Sequence, residues 1–150
     1  MSLRFHGPLI VALSFMLLGC WGSEPGTQTP VYEDGTYRGA FLDRGEIQVV
    51  VQLTLEDNRV SRASFRQLAY GGTDYRVASE GLTKEIADQY RELLDYMVGK
   101  DINDVVPELY DPGMVITEHA DVDGFTAATV RSSKVISAIR DALNRGVYSY

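Results

Sequence analysis

The stretch Asp123-Gly124-Phe125-Thr126-Ala127-Ala128-Thr129 sets two threonine hydroxyls among small residues, directly ahead of Val130-Arg131-Ser132-Ser133-Lys134 and an apolar-periodic run ending at Gly146. If that run is a helix, its first N–H groups lack intrahelical acceptors and its dipole brings positive charge to the same place, which favours an anion. Ser132 or Ser133 is the expected cap, and Arg131 and Lys134 add cationic side chains. The chemistry that these residue types suit is the seating of a phosphate.

Three other stretches invite a chemical reading. Glu118-His119-Ala120-Asp121-Val122-Asp123 crowds Glu118, His119, Asp121 and Asp123 together. Their spacing fits neither a zinc nor an EF-hand pattern, which favours a solvated acidic loop over a metal site. His119 with Ser132 suggests a hydrolase, yet no nucleophile elbow surrounds any serine. Ala69-Tyr70-Gly71-Gly72-Thr73-Asp74-Tyr75 pairs glycines with flanking tyrosines. That segment is either a place where backbone approaches a flat ring stacked on the tyrosines or a loop with half-buried tyrosines, and the spacing does not decide between them.

The pattern Asp123-x-x-Thr126-Ala127-Ala128-Thr129 resembles the flavinylation motif of the FMN-binding domain family, usually Asp-x-x-Ser/Thr-Gly-Ala-Thr. Asp123, Thr126 and Ala128 fall on matching positions, Ala127 stands where the family usually has Gly, and Arg131 stands where many relatives carry a hydroxyl residue. The opening Asp34-Gly35-Thr36-Tyr37 also resembles the first strand of that domain, about 90 residues ahead of the motif. The resemblance implies that Thr129 is joined to FMN through a phosphoester by a separate flavin transferase. It also implies that the protein is an electron carrier serving membrane redox proteins, without a dedicated substrate of its own. Asp123 would act in recognition or activation within the transferase's site, and Thr126, Ala127, Ala128, Arg131 and Ser132 would surround the cofactor. Threonine without a neighbouring base is a poor nucleophile, consistent with attachment by an outside enzyme.

The elements that must position this motif are legible from periodicity. Asp34–Phe41 opens with a turn signal and continues as a strand. In Glu46–Glu56, Ile47, Val49, Val51, Leu53 and Leu55 share one face at period two. Asp57-Asn58 is a turn pair, and Arg59–Leu68 returns as a third strand. Thr83–Val98 carries a helical stripe of Ile86, Ala87, Tyr90, Leu93, Leu94, Met97 and Val98, with Thr83 as the expected cap and Gly99 as the stop. A short helix or turn over Asp101–Tyr110 and a short strand over Met114–Thr117 follow. The last helix, Ser132–Arg145, buries Val135, Ile136, Ile139, Ala142 and Leu143.

At the other end, Arg4 precedes an apolar run from Leu9 to Leu18 and the sequence Leu17-Leu18-Gly19-Cys20. The run is shorter than the roughly 20 apolar residues of a membrane span and reads as a signal peptide. Leu-Leu-Gly-Cys resembles the lipobox of bacterial lipoproteins, which implies acylation of Cys20 and a lipid-anchored, extracytoplasmic protein. Cys20 is the only cysteine, so an internal disulfide is impossible. Trp21 to Tyr32 reads as a flexible tether. With 45% apolar and 23% charged residues, the remainder has an ordinary globular composition. The net charge of −7, without a basic stripe, excludes a phosphate-tracking nucleic-acid binder.

The expectation is an α+β protein of the FMN-binding-domain type, an antiparallel meander with packed helices. Residues 1–19 are expected to be a signal peptide, 20–32 a tether and 33–150 the domain. The rival from another class is a surface lipoprotein that binds a macromolecule on the same fold without flavin.

Overall fold

Alternation of apolar residues along Glu46–Glu56 dictates the centre of the sheet. In the computed structural model, which describes residues 29–115 and 122–149 apart from the side chains of Ile47 and residues 122–129, this segment is strand β2. Val49, Val51, Leu53 and Leu55 are all buried on one face, as period two requires. Each such side chain contributes about 1.5–3 kcal/mol relative to exposure. The sheet runs in the order β1 (Gly35–Asp43), β2, β3 (Arg59–Tyr70) and β4 (Thr73–Asp74), with every neighbouring pair antiparallel.

Two-residue loops make each hairpin. Asp57 and Asn58 have φ of 51° and 62°, and Gly71 and Gly72 have 57° and 80°. Two successive positive φ values match the twist of the flanking strands, which is why Asx and Gly residues stand in these two loops; in the β1–β2 loop Arg44 and Gly45 take φ of 50° and 83°. The three-stranded meander expected from sequence is therefore extended by β4, and the stretch expected to break the pattern folds back as a short hairpin.

Among the described residues, three α-helices complete the α+β architecture. Helix α1 spans Gly81–Met97 and packs Ala87, Tyr90, Leu93, Leu94 and Met97 into the core. It begins two residues before Thr83, so Thr83 is not its cap, and Glu80 at the cap position makes no side-chain capping bond. Asp101 caps α2 (Ile102–Glu108) by accepting from the Asn103 N–H at 2.9 Å. Met114 lies in a 3-10 turn, Pro112–Met114, instead of the expected strand; Ile116 and Thr117 lie outside the described residues.

Helix α3 runs from Val122 to Arg145, ten residues longer at its start than periodicity indicated. Ala127 and Ala128 are strong helix formers and no proline interrupts the segment, so nothing local stops the helix before Val122. Its buried stripe of Val135, Ile136, Ala138, Ile139 and Ala142 lies against β1 and β2. Ala138 and Ala142 let the helix backbone come so close to β1 that a Cβ on Gly39 would overlap the Ala138 carbonyl oxygen and the Ala142 nitrogen. Gly146, with φ of 80°, ends the helix. Val147 then bridges to Tyr37.

Among the described residues, Pro30 and Tyr32 are tied to the folded body. The Asn103 side chain donates to the Pro30 carbonyl, and the Asn58 side chain accepts from the Tyr32 N–H. Cys20, the signal segment and the tether up to residue 28 lie outside the described residues.

Candidate functional site

The β3–β4 hairpin, α1 and α3 enclose a cleft of about 340 Å³. Val49 and Leu68 from the sheet and Tyr90 from α1 form its buried base, while Tyr70, Tyr75, Ile86 and Val130 line its sides. Because the Gly71-Gly72 turn folds the chain straight back, Tyr70 and Tyr75 both reach this cleft. Tyr70 is 54% exposed and Val130 is 54% exposed, so the mouth presents apolar surface to solvent.

Tyr75 stands in a 3-10 turn, Tyr75–Val77, that is fastened by its neighbours. The Asp74 carboxylate accepts from the Arg76 backbone N–H at 2.9 Å and from Arg76 Nε at 3.0 Å, and Arg76 Nη1 donates to the Arg66 carbonyl. Hydrogen bonding from the Arg76 side chain, followed by that from its backbone N–H, lowers the Asp74 carboxyl to about 2. Asp74 is therefore ionised over the whole physiological range.

The charge of the site comes from α3. Lys134 Nζ donates to Gln48 Oε1 at 2.6 Å and lies 5.1 Å from the centroid of the Tyr70 ring. Arg131 donates to Gln89 Oε1. Both acceptors are neutral amides, and among the described residues neither cation forms an ion pair. Two positive charges thus converge on the cleft of an acidic protein.

Gln48 and Gln89 were not singled out in the sequence, and both are buried. Gln48 reaches the interior because the register of β1 and β2 steps from Phe41↔Val49 to Leu42↔Ile47, leaving Gln48 as the extra residue of a bulge. A bulge redirects a side chain that strict alternation would point outward. Its Nε2 also donates to Asp43 Oδ2 at 3.4 Å.

Tyr90 sits edge-on to Phe65, with centroids 5.9 Å apart. Burial pushes its hydroxyl up to about 12, an effect that nearby Arg131 opposes and Tyr75 reinforces. The phenol is neutral at ordinary pH. The described lining carries no carboxylate, His, Ser or Cys, so it offers aromatic surface and positive charge instead of a nucleophile with a base.

The motif residues Asp123, Thr126, Ala127, Ala128 and Thr129 occupy the first two turns of α3, and their side chains lie outside the described residues. The helix carries the chain from Thr129 directly into Val130, Arg131 and the cleft. The helix start expected at Ser132 is not there, because the segment before it is already helical and the amides of residues 130–133 belong to the helix interior. Positive charge at this level of α3 comes instead from the Arg131 and Lys134 side chains. Ser132 does not cap the helix: it is 1% exposed and donates to the Leu109 carbonyl, fastening α3 to the end of α2. Glu118, His119 and Asp121 lie outside the described residues. Among the described residues no cluster of His, Cys, Asp or Glu is arranged to hold a metal.

Comparison with protein-family models, with characterised proteins and with solved structures finds no match to this chain.

Proposed function

We propose that the chain is a lipid-anchored extracytoplasmic electron carrier that holds FMN, with Thr129 as the residue esterified by a flavin transferase. The observation that carries this reading is the convergence of Tyr70, Tyr75, Arg131 and Lys134 on one cleft that continues directly from the motif along α3. An aromatic-walled cleft of about 340 Å³ falls in the size range of small-molecule sites, and its two cations with neutral partners suit a planar ring bearing negative charge. The residues present therefore fit the group that the motif resemblance implies.

When bound, FMN supplies electron transfer, and the protein supplies position and electrostatics. Tyr70 and Tyr75 offer ring faces for stacking. The neutral Tyr90 phenol and the apolar base keep bulk water from the inner wall. Arg131 and Lys134 offset negative charge on the ring or phosphate, which the overall charge of −7 would otherwise oppose. No helix among the described residues is long and apolar enough to cross a membrane. In this reading, attachment to the bilayer rests on acylated Cys20, and several acyl chains hold more firmly than one. Electron donors and acceptors are membrane redox proteins within reach of the tether.

Co-production of wild type, Thr129→Ala and Thr126→Ala with a flavin transferase tests the reading. Flavin that survives acid precipitation in wild type and Thr126→Ala, and is lost in Thr129→Ala, is the expected result. Equal retention in wild type and Thr129→Ala removes Thr129 as the acceptor. Flavin-free protein in all three favours the surface-lipoprotein alternative.

A further inference from the structure

The wall that Tyr75 gives to the tyrosine-lined cleft is built differently from its base. Val49, Leu68 and Tyr90 are buried in the sheet and α1, whereas no residue from Gly71 to Glu80 is buried. Glycines in the left-handed region bound this segment: Gly71 and Gly72 at the hairpin, and Gly81, with φ of 65°, as the first residue of α1. A Cβ on any of the three would meet no atom within 4 Å, so the chain has room to turn at both ends.

Tyr75 rests half-buried on the core, and exposed polar groups tie down the rest. Arg76 pairs with Asp74 at 2.7 Å, donates from Nη1 to the Arg66 carbonyl of β3, and accepts at its own carbonyl from Arg91 Nη2 of α1 at 3.2 Å. It thus joins the segment to the strand on one side and to the helix on the other. Ion pairs this exposed stabilise little and are screened by salt, and a segment without buried anchors belongs to the part of a fold that opens locally. A smaller cleft, of about 230 Å³, is lined by Phe65, Leu68, Arg76, Arg91 and Leu94 among others. Leu68 lines both clefts, while Tyr75 lines the larger and Arg76 the smaller, so the 3-10 turn stands between them.

We infer that Thr73–Glu80 is a hinged flap, latched by Arg76, whose opening joins the two clefts over their shared Leu68 and admits a ligand longer than the closed cleft holds. Turning about Gly72 and Gly81 withdraws Tyr75 from the cleft that Tyr90 lines and leaves the sheet and the rest of α1 in place. A ligand that touches Tyr75 then favours the closed arrangement, because it binds that state better. The flap needs no flavin and stands independently of the function proposed above.

The test combines native-state hydrogen exchange with hydroxyl-radical footprinting of the full chain. The Arg76 and Ala78 amides, which donate to Asp74 and to the Tyr75 carbonyl, should exchange through an opening insensitive to low denaturant. Those of Leu93 and Leu94 in α1 should exchange only on global unfolding. Arg76→Gln should speed exchange in the flap about fivefold, the upper range for an exposed ion pair, and raise radical labelling of Tyr90 by a similar factor. Labelling of Tyr37, in the core, should stay the same. Sodium chloride at about 0.5 M should act on wild type in the same direction, a comparison that no folding defect of a variant can distort. Exchange of the Arg76 and Ala78 amides only with global unfolding overturns the inference, as does equal Tyr90 labelling in wild type and a folded Arg76→Gln.

Discussion

Asp141 Oδ2 accepts a hydrogen bond from the Ala40 backbone N–H at 2.8 Å, joining α3 to β1 across 101 positions of sequence. β1 is an edge strand, and this N–H faces the helix instead of a strand partner. The same carboxylate accepts from Arg145 Nε at 2.9 Å. Together with the close approach at Gly39, this contact fixes how α3 lies on the sheet, and so where Arg131 and Lys134 stand in the cleft.

Asp141→Ala should cost about 1–2 kcal/mol in denaturant unfolding, because the Ala40 N–H loses its partner next to a tightly packed helix. Burial alone would raise the Asp141 carboxyl, but the Ala40 N–H and Arg145 together hold it below the usual carboxylate range. A lowered folded pKa gives stability that is present above the unfolded value and lost as pH falls through the folded one. Wild type should therefore lose stability on acidification below the ordinary Asp range more steeply than Asp141→Ala does.

Gly39→Ala should destabilise the protein by about 3 kcal/mol or more, since the added methyl meets helix backbone that cannot rotate aside. Thermal melting against wild type reads this directly. A change of less than about 0.5 kcal/mol, the size of an ordinary surface substitution, would contradict the packing described here.

Tyr90 predicts an alkaline limit. With its hydroxyl pushed up to about 12 from 10.0, the folded state holds this proton more tightly than the unfolded chain does. Stability is then fully present below about pH 10 and declines as pH rises toward 12. Tyr90 should contribute roughly 2–3 kcal/mol of this loss, so Tyr90→Phe should lose less stability than wild type, the remainder including Tyr37, whose hydroxyl burial also raises. Chemical denaturation at stepped alkaline pH measures both.

Gln48→Leu should leave the fold intact but release Lys134 from its acceptor. Affinity of added FMN for the cleft, read by quenching of flavin fluorescence in protein lacking the covalent link, should fall several-fold. Asp74→Ala should act in the same direction by freeing Tyr75 from its turn. Unchanged binding in both would show that neither cation placement nor Tyr75 matters to the cleft.

The strands and the buried stripes of α1 and α3 were legible because burial imposes a period: Val49, Val51, Leu53 and Leu55 at two, and Val135, Ile136, Ile139 and Ala142 at the helical spacing. The Asp57-Asn58 turn was legible from residue types that accept positive φ. The early start of α3 was not, because the apolar stripe weakens before Val130 and small residues suit both a turn and a helix. Gln48 was hidden by its own alternation, since only the bulge, which depends on pairing with β1, turns it inward. The meeting of the tyrosine pair with Arg131 and Lys134 depends on tertiary packing, and no local spacing encodes it.

The most direct measurement is the intact mass of the protein isolated from its native cell, followed by peptide mapping. The account predicts a lipidated chain heavier by one FMN less one water, with the increment on the peptide containing Thr129. A native chain bearing lipid but no flavin, or flavin esterified to a residue far from α3, would contradict it.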